Sequence, residues 1–419
     1  MKKRKSNMFI INMISIYFFI LFFYGILIKF TVWNPTLFMI KTYLPEVILI
    51  ICIMFSIITK KIKFNYLIII MLIYSFGILI INYLYNGANT QSFYWWRDLF
   101  IPLFTSLILI QREFDKEDIK DLLKKLTIVA KIFIIFGLIL AVVEQVKGAE
   151  WTSKFYTGYS FYGQDAYSKV KIAHNMGLLR APSITGNYST FAYYSCFSLF
   201  LILLEKKSNF SKICWTILTI CCCILSTNKS AILTLFIILI INNTAKMRSK
   251  NKIYNKLILM VSFATIGLML LLNSDIIFQE ENQYTGGFMQ RFSFWGSIIK
   301  EVNLVQLIVP YNMFAYGSES NLLNSFFDNV YLYCFVTQGI IGSIIWIYYF
   351  RKMYLNLKIK YKDEIFNFIK NTFNFFIIIG LTCNVIQGRA YFCFMIILFS
   401  ILYKFDYKNN NKKENIIEE

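Results

Sequence analysis

The chain has one histidine, His174, and that scarcity is the first constraint. A zinc centre needs clustered His and Cys, whereas here all nine cysteines lie inside apolar runs without finger-like spacing. They read as small buried side chains with no disulfide framework. Neither a Ser-His-Asp set nor a phosphate-cradling P-loop is recognisable, and no metal or cofactor is expected. Charge is scarce too, at 16% of residues against about 25% in soluble domains. That excludes a soluble enzyme and a disordered chain. The first apolar run, Met8–Phe30, lacks a small-residue cleavage site, so no cleaved signal peptide is expected.

What fills the chain is hydrophobic: 57% of its 419 residues, including 42 Phe, 28 Tyr and 7 Trp, with a mean hydropathy of +0.55. A membrane-crossing helix takes roughly 20 apolar residues, so the composition suffices for about twelve. The runs fall at 8–30, 39–59, 64–85, 94–110, 126–146, 188–204, 212–226, 230–243, 254–273, 329–350, 366–386 and 390–404. The seventh, eighth and twelfth are short, as tilted helices or helices behind others would be. The expected fold is all-α: one polytopic membrane helix bundle over 1–419, with long external loops at 147–187 and 274–328. Their aromatics and apolar runs suggest loops folded back on the membrane surface. Segment 111–125 reads as an amphipathic cytoplasmic helix at the interface, and 406–419 as a polar cytoplasmic tail.

The net charge of +20 invites a nucleic-acid reading. Sorted by alternate loops, however, 29 of the 43 basic residues fall on one side, 10 on the other and four within spans. The basic side is the cytoplasmic one, so both termini are expected there, and nucleic acid drops out as a partner.

The informative minority is external. Arg4, Arg112, Arg248 and Arg351 need only the cytoplasmic bias, but Arg97, Arg180, Arg291 and Arg389 break it. Arginine's planar, permanently charged fork suits bidentate grip on phosphate. Arg97, beside Trp95 and Trp96, and Arg389, in a short QGRA turn, are equally explained by snorkelling to the headgroups. Arg180 and Arg291 stand inside the long loops, where an anionic ligand is the better account. Gly186 and Asn187 precede an apolar helix whose positive end faces the same side. Around Arg291, Phe288, Phe292, Trp295, Ile298 and Ile299 have the spacing of an amphipathic helix. Lys229 lies in the polar turn Ser226–Ser230, either a phosphate contact or part of an ordinary turn. Asp328, at the start of the tenth span with Asn329, reads as a general base or a helix N-cap. His174 is a candidate base or substrate contact. Charges within the runs (Lys41, Glu46, Lys131, Glu144, Lys370) lie mostly near span ends, unlike those of an ion-coupled transporter.

In this order and spacing the motifs resemble the bacterial Wzy-type O-antigen and capsular polysaccharide polymerases, in the superfamily they share with O-antigen ligases. Arg180-Ala-Pro-Ser with Gly186-Asn187 is similar to the family's Arg-x-x-Gly...Asn segment. Ser226-Thr227-Asn228-Lys229-Ser230 is similar to its Ser-Arg turn, with Lys for Arg. Arg291 with Trp295, Tyr316-Gly317, and Asp328-Asn329 followed by Gly339 and Gly342 complete the set. The family's long-spaced Arg-to-Gly repeats are not evident. The His that ligases carry near the Asp328 position is absent, which favours polymerase.

The resemblance implies a bundle of the GT-C type in the bacterial inner membrane. It implies inverting glycosyl transfer between undecaprenyl-pyrophosphate-linked oligosaccharides at the outer leaflet, with a chain-length regulator and a flippase as partners. Arg180, Arg291 and Asp328 are then the implied catalytic residues. Arg97, Asn187, Lys229, Asn329, Arg389 and His174 are the implied substrate contacts. A ligase-type glycan transferase and a lipid-linked-oligosaccharide flippase or other multi-pass transporter are the rival expectations.

Overall fold

A computed structural model describes residues 2–31, 34–59, 66–87, 90–156, 174–175, 177–205, 208–246, 305, 308, 310, 329–361, 364–383, 385 and 391–403. Its described helices are α1 (Lys2–Phe22), α2 (Tyr24–Thr31), α3 (Pro35–Thr59), α4 (Tyr66–Asn86), α5 (Thr90–Leu109), α6 (Lys116–Tyr156), α7 (Tyr188–Ile202), α8 (Asn209–Leu225), α9 (Lys229–Lys246), α10 (Val330–Lys360), α11 (Glu364–Gly380) and α12 (Tyr391–Tyr403). Between α6 and α7 a two-residue hairpin pairs β1 (His174–Asn175) with β2 (Leu178–Leu179), antiparallel, His174 opposite Leu179.

Eleven of the twelve expected apolar segments coincide with helices; the other, 254–273, lies outside the described residues, as do nearly all of 274–328 and the tail 406–419. Among the described residues, five helical stretches are long and apolar enough to cross a membrane: Arg4–Phe22, Pro35–Thr59, Ile68–Tyr85, Lys116–Thr152 and Val330–Lys360. On α4 the outward row Ile69, Ile73, Ile80 and Leu84 is exposed, as a lipid-facing stripe would be. By contrast, α12 is buried from Tyr391 to Leu402. A helix apolar all round belongs inside the bundle, which accounts for its shortness.

Where lipid replaces water, helices associate by close packing rather than by hydrophobic expulsion. Here aromatic rings supply that packing. Phe394 of α12 meets Phe22 of α1 at 4.9 Å, Tyr194 of α7 at 4.5 Å and Phe197 at 5.1 Å between centroids. Phe22 in turn meets Phe133 of α6 at 4.7 Å. Each such pair adds roughly 0.5–1.5 kcal/mol beyond its buried area.

Contacts near the helix ends join neighbouring elements. At the end carrying the start of α1, Asn7 Nδ2 donates to Asp118 at 2.8 Å, and Tyr361 after α10 donates to the Leu402 carbonyl of α12 at 3.0 Å; further along α6, Lys131 pairs with Glu205 after α7. At the far end, the Ala181 N–H reaches the Leu225 carbonyl of α8 at 3.1 Å, and Asn329 before α10 donates to the Leu381 carbonyl after α11 at 3.1 Å.

Three expectations are corrected. The first run, 8–30, is two helices that break at Phe23. Segment 111–125 is not a separate interfacial helix: from Lys116 it is the beginning of α6, and its apolar face, Ile119, Leu122 and Leu126, is closed in the core. Arg112 does more than bias topology. It is 4% exposed and donates through Nε to Asn7 at 2.9 Å, through Nη1 to Thr59 at 2.9 Å and through Nη2 to Ser6. Burial pushes this guanidinium down, and the charge of Asp118 opposes that. The apolar run 126–146 is followed by a break in α6 at Gly148 (φ 81°), beyond which a further helical stretch reaches Tyr156.

Candidate functional site

Two basic centres stand at the far end. The first is built on the segment before α7. Gln145 of α6 takes the place of a neighbouring strand for β2. Its Oε1 accepts the Leu179 N–H at 2.9 Å and its Nε2 donates to the Leu179 carbonyl at 2.6 Å. One residue earlier on the helix, Glu144, fully buried, accepts the Ser183 N–H at 3.1 Å. The Ser183 hydroxyl donates to the Gly137 carbonyl at 2.7 Å. Gly137 is required at that approach, since a Cβ there would sit 2.6 Å from the Phe191 ring. Arg180 lies between these anchors.

The Ala181–Leu225 hydrogen bond ties this segment to the end of α8, and so to the Ser226–Lys229 turn. In that turn Thr227 adopts φ 52°, and the Asn228 Oδ1 accepts the Ala231 N–H at 3.0 Å. Ser226, Thr227 and Asn228 are buried, leaving Lys229 half-buried at the start of α9.

Arg180 and Lys229, 49 residues apart in sequence, thus become electrostatic neighbours. Lys229 is lowered to about 8, first by burial and then by the Arg180 charge. The Arg180 guanidinium lies over the Tyr188 ring at 5.1 Å and donates through Nη1 to the Tyr188 hydroxyl at 3.3 Å. Its Nε is buried with no hydrogen-bond partner. Two repelling cations, one with an orphaned donor, form an arrangement that an oxyanion relieves.

The second centre joins α3 and α5. Arg97 Nε lies 3.5 Å from Glu46 and Nη2 2.8 Å from Asp98, with the guanidinium 5.1 Å above Tyr43. Lys41 sits 3.9 Å above Tyr24 and 4.7 Å above Phe38. Arg97 is 6% exposed, so the snorkelling account fails. Its charge is met by two carboxylates, which makes it a weaker anion ligand than Arg180.

Asn187 is the N-cap of α7: its side-chain oxygen accepts from Ser189 N–H at 2.9 Å and Thr190 N–H at 3.1 Å, so those amides are not offered to an anion. Asn329, rather than Asp328, caps α10, accepting the Leu332 N–H at 3.0 Å. His174 has its backbone on β1, one short hairpin away from Arg180. Arg291, Asp328 and Arg389 lie outside the described residues. Glu144 and Gln145 were not picked out as site residues from the sequence. Their signal was a carboxylate and an amide side by side at the end of an otherwise apolar run. Among the described residues no three His, Cys, Asp or Glu side chains form a metal-ligand group.

No family model matches the chain, and no curated protein matches it.

Proposed function

We propose that the chain polymerises undecaprenyl-pyrophosphate-linked oligosaccharide repeat units into capsular or O-antigen polysaccharide at the outer face of the bacterial cytoplasmic membrane. In this reading the bundle has about twelve spans of the GT-C type and both termini are cytoplasmic. The end bearing Arg180 and Lys229 then faces outward. The acceptor hydroxyl oxygen attacks the anomeric carbon of the donor from the side opposite the pyrophosphate. The carbon–oxygen bond to the pyrophosphate breaks, its electron pair moves to the leaving oxygen, and the hydroxyl proton passes to a base, for which Asp328 is the candidate. Negative charge grows on the pyrophosphate, and fixed cations aimed there lower the barrier. Arg180 and Lys229 supply two, and Arg291 is the candidate for a third.

The observation that carries this reading is the Ala181–Leu225 hydrogen bond, which ties the Arg180 segment to the turn ending at Lys229 and so brings two cations from distant segments to one end of the bundle. The resemblance of the motifs around them gives the substrate class.

The test is purified full-length protein in detergent with a defined lipid-pyrophosphate-linked repeat, resolved on a gel. A ladder of products is expected. Unchanged substrate beside folded protein counts against polymerisation, and lipid translocation without new glycosidic bonds would establish a flippase instead.

A further inference from the structure

We propose that Glu144 and Gln145 are positioning residues, which fix the backbone on both sides of Arg180 and so hold its guanidinium for an anion beside Lys229. This rests on the reading of Arg180 and Lys229 as one anion site. It assigns to α6 a function beyond packing.

A polar pair near the end of an apolar helix is costly unless its hydrogen bonds are met. Here both side chains reach the same segment. Gln145 uses both ends of its carboxamide on Leu179, the residue before Arg180. Glu144 takes the N–H of Ser183, three residues after it. Between them the Ala181 N–H is fixed to α8, whose C-terminus leads into the Lys229 turn. The backbone from 179 to 183 is therefore held at four points, two by Gln145, one by Glu144 and one by Leu225. Ser183 also adopts φ 49°, a left-handed conformation uncommon for a residue with a Cβ. A surrounding that over-determines the backbone, as this one does, is what keeps such a residue in place.

The consequence for Arg180 is geometric. Its side chain leaves a backbone tied at four points, lies on Tyr188, and keeps a buried Nε with no protein partner. A guanidinium held in one place needs less ordering when an anion arrives, which is the source of tight bidentate binding. Gln145 does not touch the anion. It acts through Arg180.

The experiment is a thermodynamic cycle on inorganic pyrophosphate binding, measured by calorimetry on the full-length protein in detergent. Gln145→Ala and Arg180→Ala are each expected to weaken binding about tenfold or more. In the Arg180→Ala background, Gln145→Ala should weaken it no further, because the residue it serves is gone. Unchanged binding by Gln145→Ala, or an equal loss with and without Arg180, overturns the proposal. So does an unaltered protein that does not bind pyrophosphate.

Should Gln145→Ala fail to fold, Gln145→Glu keeps the shape. As a carboxylate it loses the donor to the Leu179 carbonyl; as a carboxylic acid it regains one. Its affinity relative to the unaltered protein should rise on acidification, and a pH-independent ratio overturns the proposal. The product ladder tests the reaction and the calorimetry tests the positioning, so either can fail alone.

Discussion

Arg97 of α5 and Glu46 of α3 meet at 3.5 Å with both side chains 7% exposed, and Asp98 closes on the same guanidinium at 2.8 Å. Removing one partner of a buried ion pair strands the other, at a cost of about 3–5 kcal/mol, whereas replacing both by apolar side chains of similar size is often neutral. Arg97→Met, which takes the guanidinium from both Glu46 and Asp98, should therefore lower the detergent melting temperature by several degrees and by more than Glu46→Met, which leaves Arg97 with Asp98, and the double variant should lose less than the sum of the two. A double variant as unstable as the sum of the two would show that the pair does not act as a unit.

Arg180 is expected to matter to chemistry more than to folding, because its guanidinium rests on Tyr188 and keeps an open Nε. Arg180→Ala should reduce polymer formation about 10²–10³-fold, the size of effect seen when one transition-state donor is removed, with the protein still in the membrane. Arg180→Lys keeps the charge but not the fork and should recover little. Arg291→Ala is predicted to behave likewise. Normal polymer from Arg180→Ala would remove this residue from the site.

Helices α3 and α4 were readable in the sequence because lipid imposes a length and a composition on a crossing helix, and both fall within a few residues of the apolar runs that announce them. The joining of α6 to segment 111–125 was not readable, since charges such as Lys116 and Asp121 along it look interfacial until Asp118 meets Asn7 of α1 and Ile119 and Leu122 are buried. The external charges Arg180 and Lys229 were readable one at a time. Their pairing depends on the Ala181–Leu225 hydrogen bond, which no local pattern records. Arg97 misled because the same side chain at a span edge can snorkel or be buried, and only Glu46, on another helix, decides. The cap of α10 fell one residue from its expected place, on Asn329 rather than Asp328, within the ordinary uncertainty of a helix end.

Gly339 interrupts α10 with φ 66° and ψ −176°, a backbone open in practice only to glycine. At this break the Tyr74 hydroxyl donates to the Gln338 carbonyl at 2.6 Å. Gly339→Ala should cost about 1–3 kcal/mol through strain. Tyr74→Phe should cost about as much by leaving a buried carbonyl without its donor. Both serve one feature, so the double variant should be less destabilised than the sum when melting temperatures are compared. Simple additivity would mean that Tyr74 does not support the break.

Lys229 gives the site a pH dependence whose sign follows from its neighbours. Burial and the Arg180 charge lower it to about 8, so the free protein begins to lose that positive charge just above neutrality. A bound anion stabilises the charged ammonium and raises its pKa, so binding takes up a proton as pH climbs past about 8, and affinity must fall through that range. The unfolded chain keeps the ordinary lysine value and binds more protons between about 8 and 10.5, so this group's contribution to folding stability rises with pH over that interval. The two trends oppose each other, which separates loss of the ligand from loss of the fold. Pyrophosphate affinity of the unaltered protein is therefore expected to drop between pH 7 and 9.5 while the melting temperature does not. Lys229→Arg holds its charge throughout, and the ratio of its affinity to that of the unaltered protein should rise across the same interval, which also cancels the titration of pyrophosphate itself. A ratio that stays flat would mean that Lys229 does not face the anion.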